Sequence, residues 1–314
     1  MKPKIYVDGQ EGTTGLKIHE HLAQRSDVET LRIDPDKRKD PAERQKLLNA
    51  ADLVFLCLPD AASREAVALI TNAHTKVIDA STAFRTDPAW AYGLPELSAQ
   101  HRQKIKTSTR VANPGCHASA FLLAVTPLVA AGIIKKDALL TAYSLTGYSG
   151  GGKKMIAAYQ SPSRPAHLAA PRPYALKLTH KHLPEMQHIA GLVHAPLFTP
   201  IVCDIYIGLC VETFLPPTAL TKKMTAAEIH AALAAHYAHE KFIQVLPFDP
   251  EATFDQGAFD ITACNNTNRA DLAVVGHDDQ IALLCRLDNL GKGASGAAIQ
   301  CMNLALGFDE ATGL

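Results

Sequence analysis

Lys4 to Asp8 is a short apolar stretch that runs straight into Gly9-Gln10-Glu11-Gly12-Thr13-Thr14-Gly15, then into a helical pattern carrying Leu16, Ile18, His19 and Leu22. This junction limits the possible folds more than any other stretch. A buried strand, a turn with GxxGxxG spacing and a helix open a dinucleotide-binding unit. The glycines permit the tight turn, the close approach of a pyrophosphate to the backbone, and the packing of helix on strand. The alternation continues downstream. Val28 to Ile33 reads as a second strand, and Ala51 to Pro59 as a nearly continuous apolar strand of a buried parallel sheet. Ala61 to Ile70 reads as a helix with Asp60 as its N-cap, and Lys76 to Ala80 as another strand. Such alternation predicts a doubly wound sheet with its ligand at the carboxyl ends of the strands.

The end of the second strand bears on which dinucleotide binds. Asp34 stands where a carboxylate would hold the ribose 2′-hydroxyl of NAD. Arg32, Lys37, Arg38 and Lys39 crowd the same loop and can instead hold a 2′-phosphate, which favours NADP.

Thirty-one basic and thirty-one acidic side chains balance to zero formal charge, which argues against a nucleic-acid surface and for a small-molecule substrate. Seven cysteines without close paired spacing match neither a disulfide framework nor a zinc site. Lys2, Lys4, Asp8 and Glu11 interrupt any signal-peptide core, and no run of eighteen apolar residues is present for a membrane span. The expectation is a cytoplasmic protein with reduced thiols.

Asn113-Pro114-Gly115-Cys116 is followed by the apolar run Phe121 to Ala131. The turn delivers Cys116 to the first turn of a helix, where unpaired N–H groups and the helix dipole stabilise a thiolate and a neighbouring oxyanion. Beside a nicotinamide, such a thiolate fits acyl transfer to sulfur followed by hydride reduction of the thioester. The main-chain N–H of His117 is a candidate oxyanion donor. The acid–base group is sought in Leu178 to Glu185, read as extended, with His180 and His182 on one face and Glu185 orienting one of them. A His-x-His metal reading finds no other ligand cluster, and no metal is expected.

Ala138 to Ser144 reads as a strand leading into Thr146 to Lys154, a glycine-rich loop closed by two lysines that can wrap an anion but lacks the P-loop pattern. Leu192 to Leu197, Ile201 to Phe214 and His239 to Leu246 read as strands. A helix opens with a Thr225–Glu228 capping box, and Leu272 to His277 forms a hairpin with Gln280 to Leu287. Cys203 and Cys210 read as structural. Asp288 to Gly296 reads as a flexible loop before a small-residue helix to Leu306 that returns to the first domain.

These segments together resemble the N-acetyl-gamma-glutamyl-phosphate reductase family, within the group that includes aspartate-semialdehyde dehydrogenase. The resemblance rests on Gly9 to Gly15, Asp79 to Arg85, Trp90 to Leu97, Asn113 to Cys116, His180 to Glu185 and Leu287 to Leu306. It implies an α/β protein with an N-terminal Rossmann-type parallel sheet and a second α+β domain carrying a mixed sheet. The expected parts are an NADP-binding domain over 1–115, a catalytic and oligomerisation domain over 116–288, and a returning loop and helix over 289–314. The implied reaction is NADPH-dependent reduction of N-acetyl-L-glutamyl 5-phosphate, in arginine biosynthesis, by a homodimer or homotetramer without nucleic-acid or membrane partners. Cys116 matches the nucleophile and the acid–base residue falls in His180 to His182, with Glu185 beside them. Cofactor contacts are expected from Gly9, Gly12, Thr13, Thr14, Gly15, Arg32, Arg38, Ser81, Thr82, Gly147, Gly150 and Asn289. Substrate contacts are expected from Arg85, Arg110, Asn113 and Lys154. Many members have an aromatic residue after the cysteine and a threonine two residues later, where this chain has His117 and Ser119. A related carrier-bound acyl phosphate, or the shorter one of an aspartate-semialdehyde dehydrogenase, stays open at this point.

Overall fold

The computed structural model describes residues 1–9, 12–249 and 254–314, so Gln10 and Glu11 of the glycine run lie outside the described residues. The chain divides into two compact units, Met1–Pro114 with Ala294–Leu314, and Gly115–Gly293.

In chain order the first unit contains β1 (Lys4–Asp8), α1 (Thr13–Ala23), β2 (Glu29–Leu31), α2 (Pro41–Ala50), β3 (Leu53–Leu56), α3 (Asp60–Leu69), β4 (Lys76–Asp79), β5 (Ala91–Tyr92), α4 (Ala99–Thr107) and β6 (Arg110–Ala112). Among the described residues the strands form one sheet in the order β2-β1-β3-β4-β6-β5, with every neighbouring pair parallel. Successive side chains of a strand point to opposite faces. Ile5 and Val7 therefore pack with Ile18 and Leu22 of α1 and with Ala298 and Met302 of the C-terminal helix Gly296–Leu306. Tyr6 faces the other layer, with Leu48 of α2, Ala66 of α3, and the stacked rings of Phe84 and Trp90.

Some local expectations change. The second strand shortens to three residues. Pro59, not Asp60, occupies the N-cap of α3. The Asp60 carboxylate instead accepts the Thr82 N–H at 2.9 Å and its hydroxyl at 2.5 Å. An acid in the first turn still suits the helix dipole. Helix α4, capped by the Ser98 side chain, has no strong apolar stripe to betray it, since only Ile105 is buried.

The second unit contains α5 (Cys116–Ala130), β7 (Thr141–Gly147), α6 (Gly152–Gln160), β8 (Arg172–Pro173), α7 (Leu183–Ala190), β9 (Leu197–Cys203), β10 (Leu209–Leu215), α8 (Ala226–Tyr237), β11 (Ile243–Val245), β12 (Ala270–His277) and β13 (Gln280–Leu287). Its mixed sheet runs β11-β12-β13-β10-β7-β9-β8. Helix α5 is buried on nearly every side, as its continuous apolar sequence requires, and packs on β10, β13, α7 and α8. The Thr225–Glu228 capping box and the two-residue hairpin between His277 and Gln280 are both present.

Ile201 to Phe214 is not one strand. It is the end of β9 and most of β10, which flank β7 on its two sides. The chain turns between them at Gly208, whose φ of +129° favours glycine. The strand expected from Ala138 begins at Thr141, the one expected over Leu192 to Leu197 begins only at Leu197, and that of His239 to Leu246 shrinks to Ile243–Val245. The loop after β13 is tightly built rather than flexible. The Asp288 carboxylate accepts the N–H groups of Leu290 and Gly291 at 2.7 and 2.9 Å, and a π-helical turn over Gly291–Ser295 buries Lys292 completely.

Candidate active site

Cys116 is the first residue of α5 and is partly buried. Gly115 is the N-cap with extended backbone (φ −82°, ψ 147°) and brings no capping side chain, so no such group occupies the N–H groups of the first turn. Two close approaches explain the glycines around the sulfur. The His182 imidazole lies against the Gly115 α-carbon, where any β-carbon would collide with the ring. On another side, a β-carbon on Gly293 would stand 2.7 Å from the Cys116 β-carbon.

His182 is the buried N-cap residue of α7 (φ −89°, ψ −9°), not part of an extended segment; His180 precedes it in the same turn. The turn still brings the rings together, 4.7 Å apart and edge to face, because Leu183 and Pro184 start the helix immediately afterwards. The His180 Nδ1 accepts the His182 main-chain N–H at 3.2 Å. Glu185, buried one turn into α7, accepts the Gly115 N–H at 3.2 Å. Thus α7 supplies an imidazole and a carboxylate to the backbone that carries Cys116.

The His117 side chain is an unforeseen part of the site. Its Nδ1 lies 2.9 Å from the Ser144 hydroxyl and its Nε2 lies 3.0 Å from the Tyr174 hydroxyl. Burial first, then the neighbouring His180 and Lys181, pulls its pKa from 6.5 down to about 3, so the ring is neutral near pH 7. Burial and the nearby Cys116 raise the Tyr174 pKa. Cys116, His117 and His182 each offer a ligand atom within 4.8 Å of the others. Of the His-x-His pair only His182 belongs to this group, and its two companions come from α5. Nothing in the local pattern around Ser144 or Tyr174 pointed to them.

In the first unit a cavity of about 710 Å³ opens at the carboxyl ends of the neighbouring strands β1 and β3, where the strand order reverses, the switch point of such a sheet. Asp8, Gly9, Gly12, Cys57, Leu58, Arg38, Lys39 and Arg44 are among its lining residues. Gly9 has φ +88°, and a β-carbon there would strike the Cys57 carbonyl. Gly12 is the N-cap of α1 without a capping side chain, and Thr13, Thr14 and Gly15 form the first turn. Backbone N–H groups at a helix start beside an open cavity fit a pyrophosphate. The Cys57 thiol in the wall is pushed up to about 12 by burial and by Asp79 and Asp8, as is the buried Cys210, chiefly by burial, in the second sheet, which disfavours a thiolate at either.

The remaining expected residues divide between the two units. Arg38 lines the cavity, whereas exposed Arg32 lines a different surface pocket with Leu16 and His19. The Ser81 hydroxyl donates to Asp79 at 2.5 Å. Gly147, Gly150 and Asn289 all belong to the second unit. There Asn289 accepts the Gly208 N–H and donates to the Ser149 hydroxyl, both at 2.9 Å. Arg85 donates to the carbonyls of Asn113 and Ala80 at 2.9 and 3.1 Å. The Asn113 amide donates to the Ala294 carbonyl at 3.0 Å. Arg110 holds the Thr75 and Thr109 carbonyls at 2.9 and 3.0 Å, at the opposite end of β6 from Asn113. Lys154 is exposed on α6.

Residues 4–106 match the family description "Semialdehyde dehydrogenase, NAD binding domain", and residues 116–289 match "Semialdehyde dehydrogenase, dimerisation domain". The chain is similar to N-acetyl-gamma-glutamyl-phosphate reductase 2 of Nostoc sp., at 46% identity over all of this chain and 99% of that one. It is also similar to N-acetyl-gamma-glutamyl-phosphate reductase of Mesorhizobium japonicum, at 44% identity over 98% of this chain and all of that one. Among solved structures, aspartate semialdehyde dehydrogenase II of Vibrio cholerae has a TM-score of 0.72 and 16% identity, over 98% of each chain. The enzyme of Francisella tularensis has a TM-score of 0.72 and 13% identity, over 96% of this chain and 99% of that one, a likeness of fold.

Proposed function

This chain belongs to the semialdehyde dehydrogenase family, in its N-acetyl-gamma-glutamyl-phosphate reductase branch, and from that premise we propose that Cys116 is the acyl-accepting nucleophile and His182 its acid–base partner. The enzyme reduces N-acetyl-L-glutamyl 5-phosphate to N-acetyl-L-glutamate 5-semialdehyde and phosphate in arginine biosynthesis, with a nicotinamide cofactor. The observation that carries the residue assignment is the placement of Cys116 at an uncapped helix start, with the His182 ring against Gly115 and Glu185 on the Gly115 N–H.

Cys116 forms a sulfur–carbon bond to the acyl carbon, the carbon–oxygen bond to phosphate breaks, and a thioester results. The first-turn N–H groups of α5 stabilise the oxyanion of the tetrahedral species. His182 takes the thiol proton as the thioester forms; once the acyl carbon is reduced, the carbon–sulfur bond breaks, the semialdehyde leaves and His182 returns the proton to the Cys116 sulfur. The cofactor, when bound, supplies the hydride. Of the basic residues expected at the substrate, Lys154 is the exposed one in the same unit as Cys116, and we assign it to the phosphate. Arg85 and Arg110 are occupied with main-chain carbonyls.

We assign the cofactor as NADPH. Asp34 turns its carboxylate to the Asp36 N–H at 3.0 Å, capping its own turn, and Asp34 does not line the cavity. Arg38, Lys39 and Arg44 do, and these cations suit a 2′-phosphate. Gly9 and Gly12 to Gly15 would hold the pyrophosphate; Ser81, Thr82, Gly147, Gly150 and Asn289 remain secondary assignments. The family's dimerisation domain covers the mixed sheet, and we expect a homodimer or homotetramer in the cytoplasm.

Mixing enzyme and acyl phosphate without reduced cofactor tests the reading. We expect about one phosphate released per chain and an acyl adduct on the peptide carrying Cys116. Cys116→Ser should give neither while still binding NADPH. A phosphate burst that survives in Cys116→Ser would overturn the assignment.

A further inference from the structure

We propose that Cys116, His117 and His182 form a binding site for a soft divalent cation such as Zn²⁺, which inhibits the enzyme reversibly by coordinating the nucleophile. A thiol and an acid–base imidazole must lie near each other for the acyl chemistry. The third donor is not demanded by that chemistry. His117 stands next to the sulfur in the chain, and its donor atom lies within 4.8 Å of the other two.

One thiolate with two imidazoles is a soft-to-borderline donor set that prefers Zn²⁺, Co²⁺ or Cd²⁺ over the hard, oxygen-seeking Mg²⁺ and Ca²⁺. In a tetrahedral site with metal–sulfur near ~2.3 Å and metal–nitrogen near ~2.0 Å, donors stand roughly 3.5 Å apart. The three groups reach that spacing by closing about 1 Å. His182 sits on the turn that starts α7 and His117 in the first turn of α5.

His117 also carries outer supports of the kind that metal-binding histidines use. Ser144 and Tyr174 occupy its two nitrogens, so coordination by either nitrogen displaces one hydroxyl and leaves the other to fix the tautomer. Binding releases the Cys116 proton to solvent and involves no redox change. The fourth coordination position is left to water or substrate oxygen, and the occupied thiolate cannot attack an acyl carbon.

The test is titration of the intact, metal-free enzyme with Co²⁺, with and without competing Zn²⁺. We expect one cobalt per chain, a sulfur-to-cobalt charge-transfer band, the strong visible bands of tetrahedral cobalt, and their loss on adding Zn²⁺. Zn²⁺ should inhibit reduction of the acyl phosphate in phosphate-free buffer, and a chelator should restore it. His117→Phe should weaken both the spectral and the inhibitory affinity by at least about tenfold, the lower bound even for loss of an outer supporting group. His117→Gln, which keeps a polar side chain beside the two hydroxyls, should do the same if the phenylalanine variant fails to fold. Absence of the charge-transfer band, or unchanged metal affinity in the folded His117 variant, overturns the site. The spectrum reads binding without turnover, so its failure is distinct from failure of the enzyme assignment.

Discussion

The His182 imidazole presses on the α-carbon of Gly115, the residue before Cys116, at a spacing that no β-carbon could share. The glycine is thus required for the position of a side chain far along the sequence, and not for an unusual φ of its own, since its backbone is ordinary extended chain.

Gly115→Ala should therefore separate the ring from the sulfur. We expect kcat to fall roughly 100-fold, the scale of a 1 Å misplacement of a catalytic group. Overpacking should cost stability about 1–3 kcal/mol. Steady-state kinetics beside a thermal melt checks both, and NADPH affinity should not change. Wild-type kcat in the variant would show that the ring can move without consequence.

Glu185 fixes the same backbone from the other side. Glu185→Ala leaves the buried Gly115 N–H without its acceptor, a loss of about 1–3 kcal/mol. Glu185→Gln retains an oxygen acceptor and should recover most of that stability in urea unfolding. If the two variants unfold alike, the carboxylate acts otherwise than as the acceptor for Gly115.

Cofactor choice should reside in the cations of the first unit's cavity. Arg44 bonds Asp8 at 2.7 Å beside Gly9, and Arg38 and Lys39 stand on the facing loop. Arg38→Ala should lower kcat/KM for NADPH by roughly tenfold or more, from loss of a charge-assisted hydrogen bond. The value for NADH should change much less. Equal losses with both cofactors would move the 2′-phosphate elsewhere.

Much of this was legible in the residues. The Gly9 to Gly15 turn, the buried strands and the helix start at Cys116 are local features written in contiguous sequence. The partners of Cys116 were legible only in part. His182 was a candidate from the His180-Lys181-His182 pattern, but its seat against Gly115, and the bond from Gly115 to Glu185 70 residues on, come from the packing of α7 on α5. The split of Ile201 to Phe214 was hidden because a run of apolar residues reads as strand on both sides of a turn. Ser144 and Tyr174 carry no pattern of their own, and meet His117 only once β7 and the segment after β8 are in place.

The buried His117 yields a prediction about acid stability. Its pKa in the folded chain is pulled down to about 3 from 6.5, chiefly by burial. Between these values the unfolded chain binds a proton at this residue and the folded chain does not. Acidification therefore favours unfolding, and stability rises with pH across that window. The contribution is fully present above about pH 6.5 and is lost as pH falls towards 3, on the order of several kcal/mol across the window. In His117→Phe the proton-binding group is gone, although the Ser144 and Tyr174 hydroxyls lose a partner and lower stability at every pH. The two effects separate cleanly, because only the first changes slope. Urea unfolding at a series of pH values should give the variant a shallower decline than wild type between pH 6.5 and about 4. Parallel curves would mean that His117 is protonated in the folded chain and that its burial does not control its charge.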